Sequence, residues 1–98
     1  MSTIGNVTIG NEDMVASETQ YANGNTAVTL MSGSGPYATV SVNIVELEMA
    51  DGQFVLNHDL NGMPHVTKAL LESGLFEETG MAANYGFVKN QPVWKVVR

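Results

Sequence analysis

The sequence has no cysteine and no long run of apolar residues. Without cysteine, the chain can form no disulfide, no thiolate metal site and no cysteine nucleophile. No stretch approaches the ~20 apolar residues that a membrane-spanning helix needs, and the N terminus lacks the basic-then-apolar pattern of a signal peptide. We therefore expect a cytoplasmic protein that does not associate with membranes.

Lys and Arg are absent from the first 67 positions. That segment holds seven acidic residues, whereas the rest of the chain holds four basic and three acidic residues, which gives a net charge of −6. A face that binds nucleic acid needs clustered Lys and Arg, and an anionic membrane surface attracts the same residues. The composition therefore disfavours direct contact with nucleic acid or membrane.

The same acidity predicts a basic protein surface as the partner. If residues 46–51 lie at one end of a sheet, their carboxylates form a compact anionic cluster that imitates phosphates and occupies a Lys/Arg-lined groove. The alternative is that these carboxylates only keep the protein soluble. The candidate partner-binding residues are Glu12, Asp13, Glu18, Glu46, Glu48 and Asp51.

One stretch, residues 37–45, has a strict period of two. Ala38, Val40, Val42 and Ile44 alternate with polar residues, which is typical of a half-buried strand with β-branched residues on its inner side. We expect a central strand in which Val40 and Val42 are buried and the intervening Thr39 and Ser41 are more exposed.

Turn sequences separate the remaining segments. Asn23-Gly24 suits a hairpin tip, and residues 32–36 connect two strands so briefly that they must be antiparallel neighbours. Residues 77–80 are interpreted as another turn. The predicted strands are residues 26–31, 37–45, 53–57, 85–88 and 93–97, and residues 1–20 are expected to be weakly ordered or to form an edge strand.

The periodicity becomes helical over residues 63–73, where Val66 and Leu70 fall on one face. Asn61 is a candidate cap at the start, and Gly74 is expected to end the helix in a left-handed conformation. The sequence thus predicts an α+β fold: an antiparallel meander of four to six strands with one α-helix packed on one face. The length of 98 residues indicates a single domain, residues 1–98.

From Tyr21 onward, the order of short motifs resembles a family of small bacterial proteins that is known only as a domain of unknown function and is carried on phages and conjugative elements. The resemblance implies an accessory protein of a mobile element. Small acidic proteins from that context look like inhibitors of host defence, including anti-CRISPR proteins that act on CRISPR effector complexes. The motifs that carry the resemblance are Tyr21-Ala22-Asn23-Gly24, residues 37–43, residues 70–75, Thr79-Gly80 and Tyr85-Gly86-Phe87-Val88.

Two short stretches contain residue types that occur in calcium loops or at catalytic serines. Residues 57–62 match the first half of an EF-hand calcium loop, but Lys68 stands where that loop needs a glutamate. Ser34 lies between glycines that favour a hairpin turn over a nucleophile elbow, which needs a helix after the serine. We expect a protein without enzymatic activity, metal or cofactor. The alternatives are a small enzyme or metal-dependent protein that uses His58, Asp59 and His65, or a structural component of the mobile element.

Overall fold

Strands account for most of the chain in the computed structural model, which describes residues 2–97. No helix in this range is long and apolar enough to cross a membrane. The elements are β1 (Ser2–Ile9), β2 (Glu12–Gln20), β3 (Thr26–Ser32), β4 (Gly35–Thr39), β5 (Ser41–Val42), β6 (Gln53–Leu56), a 3-10 helix (His58–Gly62), α1 (Pro64–Glu72), β7 (Phe76–Tyr85) and β8 (Val88–Val96).

The strands form two antiparallel sheets of four strands each. Sheet one is a meander in the order β1-β2-β3-β4, and sheet two has the order β5-β6-β8-β7. With α1 as the α-helix, the α+β class and the antiparallel four-stranded sheet predicted from the sequence are confirmed. The sequence does not predict the division of the strands between two sheets, because local patterns do not specify which strands pair.

The turns of sheet one lie where the sequence places them. Gly24 has a φ of +90° in the β2–β3 turn, and a two-residue loop after Ser32 connects β3 to β4. Ser34 in that loop interacts with the Ser32 hydroxyl at 3.2 Å, so it belongs to a hairpin turn. At the other side of the sheet, β1 is an edge strand.

The prediction of one central strand over residues 37–45 is wrong. Its first part lies in β4, at the edge of sheet one, and its second part in β5, at the edge of sheet two. Val40 connects the two, since its N–H donates to Val28 of β3 at 2.9 Å and its carbonyl accepts from Asn57 N–H at 2.8 Å. One strand therefore passes from the first sheet to the second.

This passage changes which side chains are buried. Val40 is fully buried and Thr39 is exposed, as predicted, but Ser41 is buried and Val42 only half-buried, which the simple alternation does not predict. Ser41 is tolerated inside because its hydroxyl accepts a hydrogen bond from Val28 N–H at 2.9 Å and bonds the Tyr21 hydroxyl at 2.8 Å. The pattern fails where the strand changes sheets.

A main core lies among sheet one, sheet two and α1. Phe76 packs edge-on against Phe54, with ring centroids 5.9 Å apart, and tilts against Trp94 at 6.4 Å. The buried members of this core are Val7, Ile9, Met14, Ala16, Val28, Leu30, Val40, Phe54, Leu56, Leu60, Val66, Leu70, Phe76, Trp94 and Val96. Both sheets and the helix contribute to this one cluster.

The helix ends as the sequence predicts, whereas its start differs. Gly74 has a φ of +78°, and Ser73 N–H bonds the Ala69 carbonyl at 3.0 Å. At the start, Met63 occupies the capping position without a side-chain bond, so the prediction that Asn61 caps α1 is wrong. Asn61 instead exchanges two amide hydrogen bonds with the buried Gln91.

The last hairpin also differs from its prediction. Residues 77–80 lie inside β7, where an irregular register between Glu78 and Ala82 replaces the expected turn. The prediction of a strand over residues 85–88 is also wrong, since Gly86-Phe87 is the turn and Tyr85 pairs directly with Val88. Gly86 has a φ of +54°, which suits a tight two-residue hairpin with glycine first.

Candidate functional site

The connection between β5 and β6, residues 43–52, carries three of the six acidic residues proposed for partner binding. We call it the acidic loop. Glu46, Glu48 and Asp51 are all exposed in this segment. Its inner residues Ile44 and Met49 pack on the outer face of sheet two, against the buried cluster of Val55, Ala83 and Val93.

Asn25 attaches the acidic loop to sheet one. Its side-chain amide donates to the Leu47 carbonyl at 2.9 Å and to Asn43 Oδ1 at 3.2 Å, and its Oδ1 accepts from Met49 N–H at 3.4 Å. At the end of the loop, Gly52 N–H donates to Thr26 Oγ1 at 3.2 Å. These bonds hold the loop in one conformation against the β2–β3 turn.

Apolar side chains are exposed between the carboxylates. Val45 is 70% exposed and Leu47 36% exposed, and they alternate with Glu46 and Glu48 along the chain. Large apolar side chains surrounded by charged ones are a common composition at protein interfaces, where the apolar groups supply burial and the charges lie at the rim. The sequence pattern did not single out Leu47, and it placed Val45 in a strand.

The other three acidic candidates lie elsewhere. Glu12 and Asp13 begin β2, at the end opposite the β2–β3 turn, and Asp13 accepts a hydrogen bond from the Thr8 hydroxyl at 2.8 Å. At about 3.3 Å per residue, the length of β2 places them roughly 25 Å from the β2–β3 turn, which holds the acidic loop. Glu18 is half-buried near the other end of β2, opposite Val28. The six candidates therefore do not form one cluster.

The residues of the alternative metal or enzyme site are separated. His58 Nε2 lies 3.3 Å from Asp59 Oδ1. His65 lies apart from them and lines a cavity of about 460 Å³ together with Lys68 and Glu72. Among residues 2–97, no three His, Asp or Glu side chains are grouped to hold a metal ion. The structure instead places the Tyr85 hydroxyl 3.0 Å from His58 Nδ1. Nothing local in the sequence indicates this contact, since the two residues are 27 positions apart.

Comparisons of the chain with protein-family models, with curated proteins and with solved structures found no match.

Proposed function

We propose that the protein is a non-enzymatic binding protein that presents the acidic loop to a basic surface of another protein. One observation carries the proposal: the exposed apolar side chains of Val45 and Leu47 alternate with the exposed carboxylates of Glu46 and Glu48. A loop that only kept the protein soluble would gain nothing from exposing two large apolar side chains among its charges.

The anchoring of the acidic loop supports the same proposal. Binding by a disordered segment costs conformational entropy, because its residues must become ordered in the complex. Here the Asn25 side chain and the packing of Ile44 and Met49 already order the loop in the free protein. The charges also attract a basic partner over a distance, which increases the association rate at low salt.

The chemistry of the acidic loop favours a partner that itself handles nucleic acid. A groove lined by Lys and Arg binds phosphates, and closely spaced carboxylates offer it a competing set of negative charges. The resemblance to proteins of phages and conjugative elements points to a host defence complex, and a CRISPR effector complex in the cytoplasm is the first partner to test. The proposed protein acts as an inhibitor that occupies this basic surface.

The test compares two charge variants that differ only in position. Glu46→Gln with Glu48→Gln removes two charges from the acidic loop, and Glu72→Gln with Glu77→Gln removes two exposed charges elsewhere. Asp51 is left unchanged because it also interacts within the protein. Tagged wild-type protein and both variants are incubated with bacterial lysate, and captured proteins are identified by mass spectrometry.

We expect the wild-type protein and the Glu72/Glu77 variant to capture the same basic partner, and the Glu46/Glu48 variant to lose it. Association rates measured with the purified partner should fall with salt for the wild-type protein, since screening weakens steering. Equal capture by both variants would show that the acidic loop is not the binding site. Capture of the protein's own chain alone would favour an assembly component.

A further inference from the structure

Tyr85, His58 and Asp59 lie side by side at one end of sheet two, with a hydrogen bond between Tyr85 and His58 and the Asp59 carboxylate next to the imidazole. The Tyr85 hydroxyl lies 3.0 Å from His58 Nδ1, and His58 Nε2 lies 3.3 Å from Asp59 Oδ1. The two rings meet edge to face, with centroids 6.0 Å apart and planes at 66°. The His58 side chain is about half-exposed, at 49%, so small molecules can reach this group of side chains.

Two separate elements hold these side chains in place. His58 and Asp59 begin the 3-10 helix, whose start is capped by Asn57 Oδ1, which accepts from Asp59 N–H at 3.1 Å. Asn57 is in turn bound through its N–H to the Val40 carbonyl in the main core. Tyr85 ends β7 and packs against the buried cluster that includes Val55 and Val93.

The position of Asp59 assigns a direction to the Tyr85–His58 hydrogen bond. A carboxylate 3.3 Å from Nε2 attracts a proton to that nitrogen, so in the neutral imidazole Nε2 carries the proton. His58 Nδ1 is then the acceptor, and the Tyr85 hydroxyl donates to it. The three groups are therefore arranged like those that activate hydroxyl nucleophiles in enzymes. The Tyr85 hydroxyl takes the place of the nucleophile, the His58 imidazole that of the base, and the Asp59 carboxylate that of the group that orients the base.

We propose that Tyr85 is a nucleophile that accepts an acyl group. In the step, Tyr85 Oη forms a bond to the carbonyl carbon of an ester, and the bond from that carbon to the leaving oxygen breaks. The Tyr85 proton passes to His58 Nδ1, and the Asp59 carboxylate stabilises the imidazolium. The proton then leaves to solvent, and the product is a tyrosyl ester formed in a single turnover.

The charge of the protein indicates the class of acyl donor. The net charge of −6 repels polyanionic phosphoryl donors and leaves uncharged or cationic esters favoured. The donor class is therefore an uncharged or cationic activated ester. This inference is independent of the acidic loop.

The experiment treats the full-length protein with 4-nitrophenyl acetate, follows the release of 4-nitrophenolate, and locates the acetyl groups by peptide mapping. Tyr37 is the internal control because it is more exposed but has no such base among its described contacts. We expect Tyr85 to be acetylated at least about 10-fold faster than Tyr37. This is a lower bound, since a positioned base typically contributes about 100-fold or more. His58→Gln should abolish the difference, and Asp59→Asn should reduce it.

Tyr85→Phe serves as the second variant, with circular dichroism to verify that each variant is folded. It should lose the rapid release of one equivalent of 4-nitrophenolate. Acetylation of His58 alone, to the same extent in Tyr85→Phe, would overturn the proposal. So would rapid acetylation of Tyr85 that His58→Gln leaves unchanged, because accessibility and not the imidazole would then explain the rate.

Discussion

Gly74 illustrates how a single residue ends the helix without filling any space. Its φ is +78°, and a Cβ built there meets no atom within 4 Å. Any cost of a side chain at this position is therefore backbone strain and not a clash. Gly62 offers a matched comparison, because it also has open space around it but is not in the left-handed region.

We expect Gly74→Ala to lower the free energy of unfolding by about 1 kcal/mol, the usual cost of a Cβ at positive φ. Gly62→Ala should be neutral or stabilising, because alanine restricts the unfolded chain at a compatible position. Urea denaturation of both variants measures the difference. Equal effects of the two substitutions would show that positive φ at Gly74 is not what determines the cost.

Ser41 is the second residue whose role depends on non-local contacts. Ser41→Ala leaves the buried Val28 N–H without its 2.9 Å acceptor and should cost about 1–3 kcal/mol. Ser34→Ala, in the exposed β3–β4 turn, should change the free energy of unfolding by less than about 0.5 kcal/mol. Thermal or urea unfolding of the two variants distinguishes a required hydroxyl from an incidental one.

At the scale of elements, the passage of one strand from β4 to β5 determines the burial of its residues. Val40→Ala should cost about 1–3 kcal/mol, because Val40 is fully buried in the main core and the deletion leaves a cavity there. Val42→Ala should cost less, since Val42 is half-buried in the smaller cluster. Urea denaturation gives both values, and equal costs would contradict the unequal burial.

The elements that could be predicted from the sequence are those whose conformation is determined by residues close together in the chain. The turn at Gly24 and the helix end at Gly74 were predicted because backbone preference acts within a few residues. The sequence of residues 77–80 suits a turn, but in the structure Gly80, with a φ of +80°, lies within the irregular part of β7, because a glycine at positive φ suits a bulge as well as a turn. The pairing of β6 with β8 has no local signal.

The candidate site also combines features that the sequence predicts with features that have no local signal. The acidic character of residues 46–51 is visible in the sequence, and these residues do lie together in one loop. Their separation from Glu12 and Asp13 depends on which way β2 runs, which composition does not specify. The contact of Tyr85 with His58 requires the 3-10 helix and β7 to meet, and no spacing within the chain indicates this.

At the scale of the whole molecule, both sheets and α1 share the main core, and Val40 hydrogen-bonds to both sheets. We therefore expect the chain to unfold as one cooperative unit, as a single domain does. The fluorescence of Trp94, the only tryptophan, reports on sheet two, and the amide resonances of Val28 and Leu30 report on sheet one. Coincident urea midpoints are expected, and separate midpoints would indicate two independent units.

The charge distribution is the other property of the whole molecule. The first 67 residues carry all of the excess negative charge, and every Lys and Arg follows them in the chain. Within the first segment, the acidic loop concentrates exposed carboxylates on a surface that Asn25 holds in place. The negative potential should therefore be strongest there and weaker near Glu77, where Lys95 is the neighbouring residue across the sheet.

A titration with an octalysine peptide tests this distribution without knowledge of the natural partner. At low salt, the amide resonances of Val45–Glu48 should shift more than those of Glu77 and Glu78, because the peptide concentrates where the potential is strongest. At 1 M salt, where the Debye length falls to about 3 Å, the shifts should disappear. Glu46→Gln with Glu48→Gln should reduce the shifts in the acidic loop, whereas Glu72→Gln with Glu77→Gln should leave them. Shifts spread evenly over both regions would mean that the acidic loop carries no distinct field and that only the net charge attracts the peptide.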